Sequence, residues 1–482
     1  MNQNWKLMSQ VSFWPPPKPG VQPAKTANRI AQAPTFQGDQ PANSIKLQAS
    51  TAFYEAKPWP WLIRLFQGGV HHLVSKPLGF QLHISKADVQ RLQNLQKEPG
   101  GLILAPNHAN VADGLSLQEL ERQTGIYPAT MAALENFDRK VANLPYQWVW
   151  PIASRLGYFS VNSGNPSLKR SDAHAETLLK QGQQALCIFP EGRVTWNNSA
   201  IAPCRNGAMR FALQASQANG KPVRVVPIGI HYQYSEKARY RLEKMLTQQE
   251  KTFQIEFHKT KLPALPNNAT VPERIDRLLN GVLTHWEQKY SIPNAGGSQE
   301  RIAAIQQVTL EKLNQQYGLQ PKHQKNVHQQ IRSLLKVINQ RQIQKKKPRG
   351  LQWLNPLSTD WINYRRQLRQ TQSNIDDLRN LEVLLNHQQA LPLKNDLTSQ
   401  LETLSRLNCL IEGKRPDIVS IVRNCSAQVK VGNPIVVDKN TLKGHTPLID
   451  QANQLTHKLE NELQQAVQVA AGQTELSKKH PV

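Results

Sequence analysis

Residues suited to moving protons near neutral pH meet in the run A-P-N-H-A-N-V-A-D-G, Ala105 to Gly114. His108 and Asp113 stand there with four residues between them. If the chain turns back into a helix after the preceding apolar stretch, the Asp113 carboxylate reaches Nδ1 of His108. That contact would fix the tautomer, stabilise an imidazolium and leave Nε2 to take a proton. The spacing alone says little, because H-x4-D occurs three times: His83 to Asp88, His108 to Asp113 and His445 to Asp450. Only the middle copy follows a buried-strand pattern and an Asn, where a loop opens at the end of a sheet. The competing role for Asp113 is a helix N-cap. A capping box from Ser116 to Glu119 contends for that position and leaves Asp113 to His108.

A second run, I-F-P-E-G-R from Ile188 to Arg193, puts a carboxylate and a guanidinium at another strand end. Arg193 suits a bidentate hold on phosphate. The plainer alternative is a turn through Pro190 and Gly192 with Glu191 paired to Arg193.

Together, N-H-x4-D and the later F-P-E-G resemble the glycerolipid acyltransferase family, which includes lysophosphatidate and glycerol-3-phosphate acyltransferases. Further blocks similar to the family's follow its order: G-Y-F-S-V (Gly157 to Val161), C-R-N-G-A-M-R (Cys204 to Arg210), V-V-P-I-G-I (Val225 to Ile230) and V-G-N-P-I (Val431 to Ile435). The resemblance covers Leu95 to Lys261 and then Ser426 onward. It implies His108 as general base with Asp113 as its partner. It also implies substrate-binding roles for Asn107, Glu191, Gly192, Arg193 and Arg205. The implied donor is an acyl thioester, acyl-CoA or acyl carrier protein, with no other cofactor and no metal. The implied acceptor is a lysophospholipid-type hydroxyl, 1-acyl-glycerol 3-phosphate foremost, with glycerol 3-phosphate or another lysolipid as the alternative. Two departures bear on the acceptor. Asn162-Ser163 stand where many members carry Asp-Arg or a similar pair, and Arg193 follows Gly192 directly, without an intervening Thr. Lys169, Arg170 or Arg205 are candidates for the missing charge.

The elements that must position these residues alternate. Strands are expected at Gly101–Ala105, Gly157–Val161, Ala185–Phe189 and Val223–Ile230, and helices at Leu115–Arg122, Pro166–Lys180 and Gly207–Gln217. That alternation indicates an α/β fold, an acyltransferase-like mixed sheet flanked by helices, with a long mostly helical insertion or extension. Helical periodicity begins after Pro272, with Ile275, Leu278, Leu279, Val282, Trp286 and Tyr290 on one face. It continues through Val327, Ile331, Leu334, Leu335 and Ile338, then Leu378, Leu381, Leu384 and Leu385. Ser426 to Asp438 reads as a strand with a turn at Gly432-Asn433. An amphipathic helix carrying Ala452, Leu455, Leu459, Leu463 and Val467 follows. The expected division is a disordered basic tail at 1–52, the α/β domain at 53–268, a helical basic insertion at 269–424, and a returning strand and helix at 425–482.

Composition narrows the partners. The 482 residues carry 59 Lys plus Arg against 34 Asp plus Glu, a net charge of +25 that calls for an anionic partner. Between Lys322 and Arg369 lie twelve basic residues and one acid, Asp360, with K-K-K-P-R at Lys345 to Arg349 the densest part. Such a run is a solvated helix face, or a surface for anionic lipid or an acidic carrier protein, with Trp353, Trp361 and Tyr364 as interfacial anchors. The segment K-P-W-P-W-L-I-R-L-F from Lys57 is either an element edge packed on the core or an interfacial anchor through Trp59, Trp61 and Phe66. No uncharged apolar run reaches the ~20 residues of a membrane span; Arg64 and Arg155 interrupt the longest stretches. Four cysteines without a CxxC pair suggest neither a disulfide scaffold nor a zinc site, and fit a reducing compartment. A cytoplasmic protein peripheral to a membrane is the expectation. No G-x-S-x-G elbow supports an α/β hydrolase. The alternative from another class is a non-catalytic basic protein binding anionic lipid or RNA, but nucleic acid is not the expected partner, since no RNP, KH or zinc pattern accompanies the charge.

Overall fold

The computed structural model describes residues 53–133, 146–161, 167–266, 268–319, 327–344, 359–389, 396–413, 422–438, 440–441 and 446–479. Residues 1–52, the expected tail, Asn162-Ser163, Lys345–Arg349 and Trp353, and the side chains of Lys169 and Trp361, lie outside this set.

Eight strands form one sheet: β1 (Gln81–Ile84), β2 (Gly101–Pro106), β3 (Ala129–Ala133), β4 (Tyr158–Val161), β5 (Leu186–Cys187), β6 (Val223–Tyr234), β7 (Cys425–Val431) and β8 (Ile435–Val437). Their order is β1-β7-β6-β2-β5-β3-β4, with β8 also on β6. The pairings are parallel except where β7 and β8 meet β6. The helices of the first part are α1 (Pro60–Val70), α2 (Lys86–Lys97), α3 (Asp113–Thr124), α4 (Tyr146–Arg155), α5 (Ser167–Gln181) and α6 (Gly207–Asn219). After β6 the chain leaves the sheet and runs through α7 (Arg239–Glu256), α8 (Val271–Tyr290), α9 (Ser298–Tyr317), α10 (Val327–Gln344), α11 (Thr359–Gln389) and α12 (Leu397–Glu412). It re-enters the sheet as β7 and β8 and closes with α13 (Leu448–Lys479).

Alternation along the strands sorts the core into two sides. Leu102, Leu104, Val226, Ile228 and Ile230 face α2, α3 and the apolar stripes of α7 to α12. Ile103, Ala105, Val223 and Val225 face α5, α6 and α13. The sheet is therefore covered on both faces, and its central strands β2 and β5 are continuously apolar.

Strand β6 organises the sheet. One edge of it pairs with β2; the other is shared, β8 taking Val223–Val225 and β7 taking Ile228–Tyr234. Pro227 stands between those two registers. A proline has no N–H to donate, and the change of partner spares it one. Its carbonyl accepts from Gly432 N at 2.9 Å, in the turn that joins β7 to β8.

The strands depart from expectation in definite places. β1 and β3 carry no strong sequence pattern and form because neighbours pair with them: β3 lies between β5 and β4. β5 is shorter than expected because the chain swings away after Cys187. β6 runs on to Tyr234 because β7 continues alongside it. Tyr364, expected as an interfacial anchor, is buried in α11. Helix α1 buries only Ile63 and Gln67, whereas Trp59, Trp61, Leu65 and Phe66 face outward with 40–67% exposure. Among the described residues no helix is long and apolar enough to cross a membrane.

Gly229 marks the tightest contact between sheet and helix. A Cβ built there would lie 2.3 Å from the Ala466 backbone carbon of α13. We expect Gly229→Ala to force the two backbones apart and cost about 1–3 kcal/mol, read as a lower urea midpoint; an unchanged midpoint contradicts this packing.

Candidate active site

The two motif loops open from the C-terminal ends of β2 and β5, the edge of a parallel sheet where ligands bind. Beyond Pro106, β2 no longer accompanies β6, so peptide groups of β6 need other partners. Two asparagines supply them. Asn107 donates from Nδ2 to Ile230 O at 3.0 Å and accepts from Ile230 N at 2.7 Å. Asn198 does the same for Tyr232, donating to its carbonyl at 2.6 Å and accepting from its N–H at 2.7 Å. Each side-chain amide continues the ladder where a strand has ended. Asn107 is therefore spent on holding the loop, which differs from the substrate contact that the resemblance implied for it.

His108 donates from Nδ1 to Asp113 Oδ2, 2.6 Å away. Asp113 has no exposed surface, and its carboxylate is matched at both oxygens. Oδ2 also accepts from Asn110 N at 3.1 Å, and Oδ1 accepts from the Tyr232 hydroxyl. Because Tyr232 gives its only proton to Asp113, Ser116 Oγ must be the donor in its 2.8 Å contact with that hydroxyl. Burial and the neighbouring carboxylate hold the Tyr232 phenol well above its ordinary pKa, so it stays a donor. An acceptor-only carboxylate on Nδ1 places the ring proton there. Nε2 then points away, with no hydrogen bond among the described residues. The ring lies flat against Phe189, centroids 4.2 Å apart and planes 26° apart.

The expected capping box is absent. Helix α3 begins at Asp113 with Ala112 before it, Ser116 bonds Tyr232, and Glu119 bonds His71 and Arg122. Asp113 thus sits in the first turn, where the helix dipole favours its charge.

The second motif lies in a long irregular stretch between β5 and α6. Glu191 is buried and joins the two loops: its carboxylate accepts from His108 N at 2.6 Å and from Ala202 N at 2.7 Å. Burial lifts its pKa to about 7, against the pull of those two N–H groups. Glu191 is not paired with Arg193. Arg193 instead forms an ion pair with Glu382 of α11. Gly192 has φ +76°, and a Cβ on it would lie 2.5 Å from Arg205 Nε, so the glycine makes room for that guanidinium. Arg170 is exposed on α5. The geometry thus gathers His108 and Asp113 at one point and Gly192, Arg193 and Arg205 beside it, with Glu191 tying the two loops and Asn107 holding the first to β6.

Residues 86–231 match the family model described as acyltransferase. This chain carries an acyltransferase domain. No curated protein matches the chain. The acyltransferase match ends at His231, one position before Tyr232, so it contains His108, Asp113 and the Glu191 tie but not the phenol. Four further supports of the acyltransferase loops come from outside it. Thr195 O accepts from Asn386 Nδ2 at 3.0 Å, Trp196 O from Arg406, Pro203 O from Arg332 at 2.8 Å, and Cys204 N donates to Glu460 at 2.7 Å. Sequence spacing gave no signal for Tyr232, Asn198, Arg332 or Arg406, because each meets the site only through the fold.

Glu191 works by accepting at two oxygens, which an amide cannot do. We expect Glu191→Gln to set an NH2 against one of the two backbone donors, lower stability by about 2 kcal/mol and loosen the His108 loop. Urea unfolding checks this, and an unchanged midpoint rules it out.

Proposed function

We propose that this acyltransferase moves a fatty acyl group from an acyl thioester to the hydroxyl of a lysophospholipid-type acceptor, 1-acyl-glycerol 3-phosphate, at an anionic membrane surface. The observation that carries the reading is the His108–Asp113 pair at the C-terminal edge of the sheet, with Nδ1 occupied by a buried carboxylate and Nε2 without a hydrogen bond among the described residues. Nε2 takes the proton of the acceptor hydroxyl as its oxygen attacks the thioester carbonyl. Asp113 stabilises the imidazolium so formed. The tetrahedral intermediate then collapses, the C–S bond breaks, and the sulfur leaves as a thiol with the proton from Nε2. Acyl-CoA and acyl carrier protein offer the same thioester, and no metal or further cofactor takes part in these steps.

The acceptor's phosphate fits the basic side of the site, where Arg193 and Arg205 flank Gly192. The outward face of α1 supports the membrane. Trp61, Leu65 and Phe66 are exposed with Lys57, Arg64 and Lys76, and Arg155 stacks 4.4 Å over Trp59. Apolar rings edged by cations suit the headgroup level of an anionic bilayer.

Transfer by purified protein tests the reading, with acyl-CoA and acyl carrier protein thioesters as donors and lysophosphatidate in anionic vesicles as acceptor. His108→Ala is expected to lower kcat about 10²–10⁴-fold while the protein stays folded and vesicle-bound. Full turnover in the variant, or none from folded wild type with any donor, sinks the reading.

A further inference from the structure

Helix α10, far outside the acyltransferase match, brings two basic side chains to the F-P-E-G loop. Arg332 donates from Nη2 to Pro203 O at 2.8 Å. His328, one turn earlier, is 4% exposed, and neither of its ring nitrogens has a hydrogen-bond partner among the described residues. A buried imidazole with two orphaned nitrogens is costly unless something fills the space it faces. Nη2 of Arg193 and Nε of Arg332 are orphaned as well.

These groups form one cluster. Burial and the charges of Arg332 and Arg205 bring Arg193 down to about 9. Burial and Arg205 bring Arg332 down to about 10. Burial, with Arg193 and Arg332, brings His328 down to about 3. Arg332 bonds Pro203 O two residues before Arg205, and Arg205 lies against Gly192 beside Arg193, so the three guanidinium groups gather at this loop, Arg205 exposed and His328 buried. The carboxylates nearby are engaged: Glu382 on Arg193, Glu460 on Cys204 N, and Glu191 on His108 N and Ala202 N. Like charges held this close, with donors left over, call for an anion with several acceptor oxygens.

Resting on the acyl-transfer reading, we infer that Arg332 and His328 of α10 complete, with Arg193 and Arg205, a site for the phosphate monoester of the acceptor. The helical run then takes part in choosing the acceptor. It supplies charge at the loop whose Phe189 stacks on His108.

Calorimetric titration with inorganic phosphate and with glycerol 3-phosphate reads the site without turnover. Arg332→Met is expected to weaken both about tenfold or more, as loss of a charged hydrogen bond does, with Arg332→Lys recovering part of the loss and His328→Leu weakening both to a smaller extent. Thermal melting establishes that each variant is folded. In acyl transfer, Arg332→Met is expected to raise KM for lysophosphatidate about tenfold more than KM for monoacylglycerol, which lacks the phosphate. Comparing inorganic phosphate, glycerol 3-phosphate and lysophosphatidate separates the bare ion from the free ester and the lipid headgroup. No phosphate binding by wild type, equal binding by folded Arg332→Met, or equal KM loss on monoacylglycerol overturns the inference. Arg332-dependent phosphate binding without acyl transfer to any acceptor would uphold the site and reject the reaction.

Discussion

A carboxylate with no contact with water needs donors at each oxygen, and around Asp113 that need orders the site. Its place in the first turn of α3 supplies one favourable field. His108 Nδ1 and Asn110 N supply hydrogen bonds from its own loop. Tyr232 supplies another from across the sheet, and Ser116 steers that phenol by donating to it. An isolated buried charge is costly, so the loop, the helix start and β6 are fixed relative to one another by the same atoms. The orientation of His108 follows from this arrangement.

Strand β6 is the fixed body in that arrangement, and it is completed by chain far away in sequence. β7 returns after six described helices to pair with the half of β6 that bears Tyr232. Asn107 and Asn198 bind the opposite side, one from each motif loop. Glu191 then ties the loops to each other. The irregular chain after β5 has no ladder of its own. Its carbonyls and N–H groups are met by Arg332, Asn386, Arg406 and Glu460 from the later helices. The helical run is thus part of the scaffold of the acyltransferase domain.

What was legible in the sequence follows from locality. His108 and Asp113 lie within one turn of chain, so strand, loop and helix start could be read together. The α/β fold followed from alternating apolar runs. Ser116 was misread because a capping box is a local pattern, whereas its real partner, Tyr232, is distant in sequence. Glu191 beside Arg193 suggested a local pair; burial instead set Glu191 on two backbone donors and Arg193 on Glu382. Tyr364 looked interfacial among basic neighbours, but its place on α11 turns it inward. β1 and β3 could not be read because pairing, not composition, makes them strands.

The central claim is that a buried carboxylate holds the His108 proton on Nδ1 and leaves Nε2 to act as base. Long-range nitrogen–proton NMR of the imidazoles, with His108 assigned through His108→Gln, reads the tautomer directly. The neutral ring is expected to carry its proton on Nδ1 in the wild type, with that preference weakened in Asp113→Asn. A ring protonated at Nε2 in the wild type would contradict the account.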